Sequence, residues 1–341
     1  MTVILPPFQR GPICRMVPPM DAALRLVLLA RPRGAVLVCL LPVLGFGYGH
    51  WERGSQVSPL AVAPIILAII TVWLLGHAGA MWLNAELDRD EGAVLLGRAV
   101  RVPRGTGRLG YGALAASVAL AAAWLDAIAL ACVIGCALLA MLYSHPRIAL
   151  KGHPLGGPLV NGVGYASLSP IAGWSLAQPI FTWRAPLTLL GLVLGVLGLY
   201  FAAQAFQRDE DAARGYRTLV VTHGPRVTLQ VARACLSFAM WGLALGALAG
   251  IYPRAVLIAI PLVAVVDRFM ARWASAPGGG DGRWALGMVK RLVLALVVVV
   301  ATVYATHFAQ ILAGDPCGGL GTAIVPGALH RRPEIAAPGG E

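Results

Sequence analysis

The sequence predicts an all-α, polytopic integral membrane protein with nine transmembrane helices around a central cavity. Three observations predict it. The 341-residue chain is 58% hydrophobic and only 12% charged, far more apolar than a soluble domain of that length. Its apolar residues gather into nine stretches, each approaching the roughly 20 residues a helix needs to cross a bilayer core. Its cationic side chains fall almost entirely on one side of the membrane that those stretches define.

The stretches lie at residues 24–50, 58–85, 109–125, 127–144, 156–177, 186–207, 227–250, 254–273 and 285–311. Residues 1–23 precede them as a cytoplasmic tail. Arg10, Arg15 and several prolines there surround no apolar core of signal-peptide type, so no cleavable signal is expected. Residues 24–312 form the membrane domain, and residues 313–341, rich in Gly and Pro, form a flexible tail. The third and fourth stretches are separated only by "WLDA", read as a tight turn around Asp126. "SAPGGGDGRW" reads as a flexible linker between the last two helices. The six cysteines show no metal spacing, and Cys132 and Cys136, four apart on one helix, read as packing residues.

A net charge of +12 raises nucleic acid as a partner, and its distribution argues against one. With nine spans and a cytoplasmic N-terminus, 21 of the 27 Lys and Arg residues fall in inner segments. Five (Arg53, Arg184, Arg254, Arg331 and Arg332) fall outside, and Arg233 lies within a helix. Retention of cationic loops in the cytoplasm explains that asymmetry. The expected location is a bacterial-type inner membrane, with the N-terminus inside, the C-terminus outside and the long polar loops cytoplasmic.

Two of those loops carry similar chemistry. In "HAGAMWLNAELDRDEGAVLLGR", Asn84, Asp88 and Glu91 stand at i, i+4 and i+7, one face of a helix. In "YFAAQAFQRDEDAARGYRTLVVTHG", Gln204, Gln207 and Asp211 stand at i, i+3 and i+7. Two oxygen-bearing stripes four helices apart suggest a duplicated half-unit, and facing each other they would line one cavity. Mg²⁺ takes such ligands, usually one or two carboxylates with substrate phosphates and water. Arg98, Arg101, Arg208, Arg214 and Arg217 flank the stripes, and guanidinium matches phosphate in bidentate fashion. For either stretch alone, a solvated helix exit is the competing reading.

Other residues carry alternatives. His77, two turns before Asn84 on the same stripe, faces either the cavity or a packing partner. Tyr143, Ser144 and Lys151 follow the fourth helix; Lys151, one of two lysines, is either a diphosphate ligand or a topology charge. Asn161 is a polar group at membrane depth in a Gly-rich helix, where cavity lining and close helix packing are both open. Asp267 and Arg268 read as a structural pair closing the eighth helix.

These residues resemble the UbiA superfamily of intramembrane prenyltransferases. Asn84 and Asp88 match its N-D-x-x-D-x-x-x-D motif, and Asp211, Gly215 and Thr218 match its D-x-x-x-D-x-x-x-G-x-x-T segment. Between them, "YSHPRIALKGHPLGGPLVNGVGYASLSPIAGW" is similar to the family's YS-x-P-x-x-LK loop and following Gly-rich helix. That loop is closer to the chlorophyll-synthase, homogentisate and archaeal-lipid branches than to the 4-hydroxybenzoate branch. There are departures. Ala85 and Gly92 stand where the first motif has Asp, with Glu91, or Asp90 if the helix has ended, as the substitute. Gln204 and Gln207 stand where acidic residues are usual, so metal binding at the second stripe should be weaker or should draw on Asp209 as well as Asp211.

The resemblance implies a prenyl diphosphate whose tail lies in an apolar tunnel of the bilayer-embedded protein. Mg²⁺ would be held by Asn84, Asp88, Asp90, Glu91, Asp209 and Asp211. Ionisation to an allylic cation is followed by attack of a lipophilic acceptor, aromatic or quinone-precursor. Asp88, Asp211, His77 and Tyr143 are the expected catalytic residues. Two rival readings are a terpene cyclase, in which the substrate's own double bonds capture the cation, and a transporter.

Overall fold

The computed structural model describes residues 21–53, 59–88, 100–178 and 182–312. Asp90, Glu91, Arg98 and both terminal tails, apart from the last residues of the N-terminal one, lie outside these, and of Asp88 only the backbone is described. Among the described residues every regular element is a helix. In chain order these are α1 (Ala22–Leu29), α2 (Pro32–Arg53), α3 (Pro59–Asp88), α4 (Thr106–Trp124) and α5 (Ala127–Ser144). A 3₁₀ turn at Leu150–Gly152 leads to α6 (Gly156–Val160), a π-helical segment (Asn161–Leu168) and α7 (Ser169–Ala177). The rest comprises α8 (Arg184–Gln204), α9 (Arg208–Ala213), α10 (Leu219–Leu248), a 3₁₀ turn at Arg254–Ile258 continuing into α11 (Ala259–Ala274), another at Pro277–Gly279, and α12 (Gly282–Leu312).

The nine apolar stretches fall largely on helix, and among the described residues six helices (α2, α3, α5, α8, α10 and α12) are long and apolar enough to cross a membrane. The first stretch is not one helix. Arg31 takes a positive φ of 49° and Pro32 opens α2. Proline disfavours helical geometry in the residue before it, so α1 ends and α2 starts afresh. The helix that carries the seventh is broken ahead of that stretch: Gly224, with φ 81° and ψ 166°, interrupts α10 just before Pro225.

The turn at Asp126 is built as its sequence suggests. Its carboxylate caps α5, accepting from Ala129 N at 2.7 Å, and also accepts from Ser175 Oγ at 3.1 Å. Replacing an N-cap carboxylate by Ala typically costs about 1 kcal/mol. Asp126→Ala is therefore expected to lower the thermal unfolding midpoint of the purified protein by a few degrees, and an unchanged midpoint would show that the cap contributes nothing.

By its contacts the chain divides into two units, residues 1–151 with 168–179, and residues 152–167 with 180–341. In the first, α2 packs on α7 and α3 on α4 and α5. The α2–α7 contact depends on glycine. A Cβ on Gly45 would overlap the Pro170 carbonyl, and one on Gly173 would overlap that of Pro42. Lipid offers no hydrophobic drive for pairing helices, so close backbone approach through small residues is what holds them. Trp73 Nε1 donates to Ser169 Oγ at 3.0 Å within this core.

In the second unit α8 and α11 pack on α10. Asp267 does not pair with Arg268. It accepts two hydrogen bonds from Arg233, at 2.6 and 2.7 Å, and a third from Ser237 at 3.1 Å. The two helices meet side by side at that level, whereas Arg268 points to the exposed face of α11. The expected flexible linker is also a built turn: Trp273, fully buried, donates its indole N–H to Gly279 O at 2.8 Å and stacks on Trp284.

Candidate functional site

In the first unit the site grows from the end of α3. The apolar part of this helix places Asn84 near its terminus, and α5 ends at Ser144, with His145–Pro146 closing it. The chain then turns through Ala149, with φ 41°, into Leu150–Gly152, which carries Lys151 back towards α3. Asn84 Oδ1 accepts from Ser144 Oγ at 3.1 Å and from Lys151 Nζ at 3.4 Å. All three are buried, with exposures of 9%, 3% and 8%. A buried ammonium is stable only where oxygen or negative charge compensates it. Here Asn84 Oδ1 supplies one such oxygen. Three residues far apart in sequence thus form one polar cluster at the end of α3, and Asp88 follows Asn84 by one helical turn.

His77 lies about 10 Å before Asn84 along the helix axis. It is buried, its ring against Gly34 and the Ala30–Arg31 backbone, and neither ring nitrogen makes a hydrogen bond of good geometry. Tyr143 is half-buried in the last turn of α5, and Arg101 is exposed ahead of α4.

In the second unit the expected continuous stripe is broken. α8 stops at Gln204 and α9 begins at Arg208. Gln204, Gln207 and Asp211 therefore do not share one uninterrupted helix face; Gln207 instead leads into α9, its carbonyl accepting from Asp211 N at 2.9 Å. Gln204 is 7% exposed; its Nε2 donates to Tyr200 Oη at 2.7 Å, and its Oε1 has no partner. Asp211 Oδ2 accepts from Thr218 Oγ at 2.8 Å, which ties α9 to the start of α10 and gives the motif's Asp and Thr a shared role. Gly215 takes a φ of 73° between them. Arg214 pairs with Glu210 at 2.8 Å. Arg208, Asp209 and Arg217 are exposed and Gln207 is half-buried. Asn161 donates to Gly157 O at 2.9 Å, one turn back on its own helix.

Arg217 N donates to Gly152 O at 2.8 Å, so the turn after Lys151 is fastened to the loop before α10. A Cβ on Gly152 would overlap the Tyr216 ring. Gly152→Ala is expected to cost about 1–3 kcal/mol, the usual penalty for overpacking. Thermal unfolding of the purified variant measures this, and a wild-type midpoint would mean that the ring moves freely aside.

The roles of Tyr200 and Glu210 escaped the sequence reading, although each is four residues from its partner, Gln204 and Arg214, which is the available signal. The donors at both segments are oxygens, as a hard cation requires. In sequence the end of α3 is rich in the carboxylates that Mg²⁺ favours, and of these Glu86 is the one whose side chain lies among the described residues; in the α8–α9 segment Asp211 is bonded to Thr218 and Glu210 to Arg214, beside Asp209 and two amides. Among the described residues, no three His, Cys, Asp or Glu side chains converge as a ready metal site.

Six membrane-length apolar helices and an oxygen-rich cluster at the end of one define a multi-pass integral membrane protein with a polar site. The model of the UbiA prenyltransferase family matches residues 39–278, and the chain belongs to that family. Among solved structures, a UbiA homolog from Archaeoglobus fulgidus bound to DMAPP and Mg²⁺ superposes with a TM-score of 0.59 at 18% identity, over 82% of this chain and 99% of that one. A UbiA homolog from Aeropyrum pernix K1, in its apo form, gives 0.53 at 18% identity over 84% and 99%. A digeranylgeranylglyceryl phosphate synthase of membranes gives 0.55 at 15% identity over 83% and 97%. At these identities the likeness is one of fold. No curated protein matches the chain.

Proposed function

We propose that the protein is a Mg²⁺-dependent intramembrane prenyltransferase that moves a prenyl group from a prenyl diphosphate to a lipophilic acceptor, aromatic or quinone-precursor. The observation that carries this reading is the buried Asn84–Ser144–Lys151 cluster beside the carboxylate-rich end of α3. It supplies an ammonium for a diphosphate within one helical turn of Asp88. The Archaeoglobus fulgidus homolog, whose structures hold DMAPP or GPP with Mg²⁺, supports the substrate class.

In this reading Asp88, with Asp90 or Glu91, would hold Mg²⁺, which offsets charge on the diphosphate leaving group. Asn84 orients Lys151, whose ammonium takes part of the charge that develops as the C–O bond breaks. Arg98, Arg101, Arg208, Arg214 and Arg217 draw the diphosphate to the cytoplasmic mouth, and Asp211 orders the second segment through Thr218. The bonding pair leaves with diphosphate, the acceptor bonds to the allylic carbon, and the acceptor's proton departs. His77, with two unpartnered ring nitrogens, is assigned to receive that proton, and Tyr143 and Asn161 to line the prenyl path. The apolar helices exclude water from the cation.

Membranes containing the protein, incubated with geranyl diphosphate and Mg²⁺, test the reading. Diphosphate release that requires an added phenolic or quinol acceptor is expected. Release with a hydrocarbon product and no acceptor would make the protein a cyclase, and no release under any condition would overturn the assignment.

Nine crossings with a cytoplasmic site belong to the same proposal. On an otherwise cysteine-free chain, cysteines at positions 97 and 213 are expected to resist an impermeant thiol reagent in intact cells, while one at 319 reacts. Labelling of position 213 from outside would reverse the topology.

A further inference from the structure

We infer that the second unit carries a binding site for the headgroup of an anionic phospholipid, in the cleft between the break in α10 and the turn that joins α11 to α12. The cleft, of about 330 Å³, is lined by His223, Gly224, Pro225 and Arg226 on one side and by residues of the 274–279 turn on the other. Its level follows from the helices around it. A Cβ on Gly279 would overlap Pro225 and press on the Ala205 carbonyl, so the end of α8, the break in α10 and the approach to α12 lie side by side. All three helices are of membrane length and apolar, and a level at which such helices start or stop together is the boundary between hydrocarbon and headgroups. Trp284, stacked on Trp273 in the first turn of α12, is the residue type that favours that boundary. Gly278 and Gly279 take positive φ, a backbone that glycine adopts at no steric cost, so no side chain fills the turn.

Charge selects the ligand. Among the described residues of this unit the carboxylates are those of Asp209, Glu210, Asp211, Asp267 and Asp281. Glu210 is paired with Arg214, Asp267 with Arg233 and Asp281 with Arg283, and Asp211 is bonded to Thr218. Asp209 is exposed on α9, away from the lining of the cleft. The cations at the cleft are not matched in this way. Arg226 lines it, and Arg268, Arg272 and Ser275 follow at i, i+4 and i+7 on the exposed face of α11 that runs up to it. Among the described residues none of these three arginines is in a salt bridge. Guanidinium binds a phosphate in bidentate fashion. A zwitterionic lipid brings an ammonium with its phosphate, and the lining holds no carboxylate to receive it. A lipid of phosphatidylglycerol type, whose headgroup has no cation, meets no such mismatch. Val227, Ala234, Phe238, Trp241 and Leu245 form an exposed stripe on α10 that starts beside Arg226, and it offers the acyl chains an apolar path into the bilayer.

The test weighs two lipids against each other and does not depend on turnover, so it stands apart from the proposed function. The full-length protein in a non-ionic detergent is titrated with equimolar phosphatidylglycerol and phosphatidylcholine of the same acyl chains, and bound lipid is read by native mass spectrometry. One phosphatidylglycerol per chain is expected to bind about 25-fold more tightly than phosphatidylcholine, at about fivefold for each of two guanidiniums near the headgroup. Arg226→Gln combined with Arg272→Gln is expected to abolish that preference. Arg184→Gln combined with Arg254→Gln removes the same charge at the opposite ends of α8 and α11 and is expected to keep it. Equal binding of the two lipids by the wild type would overturn the inference. So would a preference that survives loss of Arg226 and Arg272, or one that the Arg184 and Arg254 pair lowers as much, because diffuse charge would then be the cause. Displacement of phosphatidylglycerol by millimolar inorganic phosphate would make the cleft a site for a free anion and overturn the lipid assignment. If the double variant does not fold, Arg226→Gln alone is expected to lose about fivefold, and an unchanged preference would again overturn the inference.

Discussion

Asp88→Ala is expected to lower diphosphate release from geranyl diphosphate by about 100-fold or more, the usual cost of removing one stabiliser of transition-state charge. The residue stands at the end of α3, one turn beyond Asn84, and Asn84 is fixed by Ser144 and Lys151. Loss of the carboxylate should leave that cluster and the fold intact. The variant is therefore expected to insert, purify and melt like the wild type while the Mg²⁺ concentration for half-maximal release rises steeply. Retention of more than roughly a tenth of the activity would count against Asp88 as a metal ligand. Asp88→Asn separates charge from shape: an oxygen remains, the charge is lost, and most of the defect is expected to persist.

The second large effect is at Lys151. Lys151→Met keeps the length of the side chain and removes its charge. It should cost on the order of 100-fold in diphosphate release if the ammonium meets charge that develops on the leaving group. Because the lysine is 8% exposed, its loss also frees Asn84 Oδ1 of one donor, with Ser144 still bonded. Stability is therefore expected to fall little. Lys151→Arg should not restore activity, because a planar guanidinium does not fit a space shaped for a compact ammonium. A defect in KM alone, with kcat unchanged, would reduce Lys151 to a ground-state binding group.

Much of this was legible before the structure. Apolar length located α3, α4, α5, α8 and α12, while six helices among the described residues are long and apolar enough to cross a membrane, and "WLDA" located its turn because a capping Asp between two apolar runs has few other uses. Local pairs were harder. The gap between α8 and α9 was missed because Gln204, Gln207 and Asp211 keep helical spacing even though the chain leaves the helix between them. Asp267 was assigned to its neighbour Arg268 because the proximity of Arg233, 34 residues away, is a product of helix packing. The joining of Asn84 to Lys151 is of the same kind: each residue stood out by itself, and only the turn at Leu150–Gly152 brings them together. For His77 the sequence leaves cavity lining and packing open, and the structure adds that its ring is buried against Gly34, which periodicity cannot supply.

The π-helical segment Asn161–Leu168 has a consequence for how this chain tolerates change in length. A π turn carries one residue more than an α turn, so the segment stores surplus residues ahead of α7. Removing a single residue there lets the segment relax to ordinary α geometry while the helix after it keeps close to its present phase, because the surplus residue is what the wide turn absorbs. The same deletion in the α turns of α7 has no surplus to draw on and rotates everything beyond it by about 100°. A deletion between Ser169 and Gly173 would swing Gly173 away from the Pro42 carbonyl it lies against. In a deletion scan, positions 161–168 should be more forgiving than positions 169–177, and equal sensitivity would show that something other than the extra residue holds the π turns.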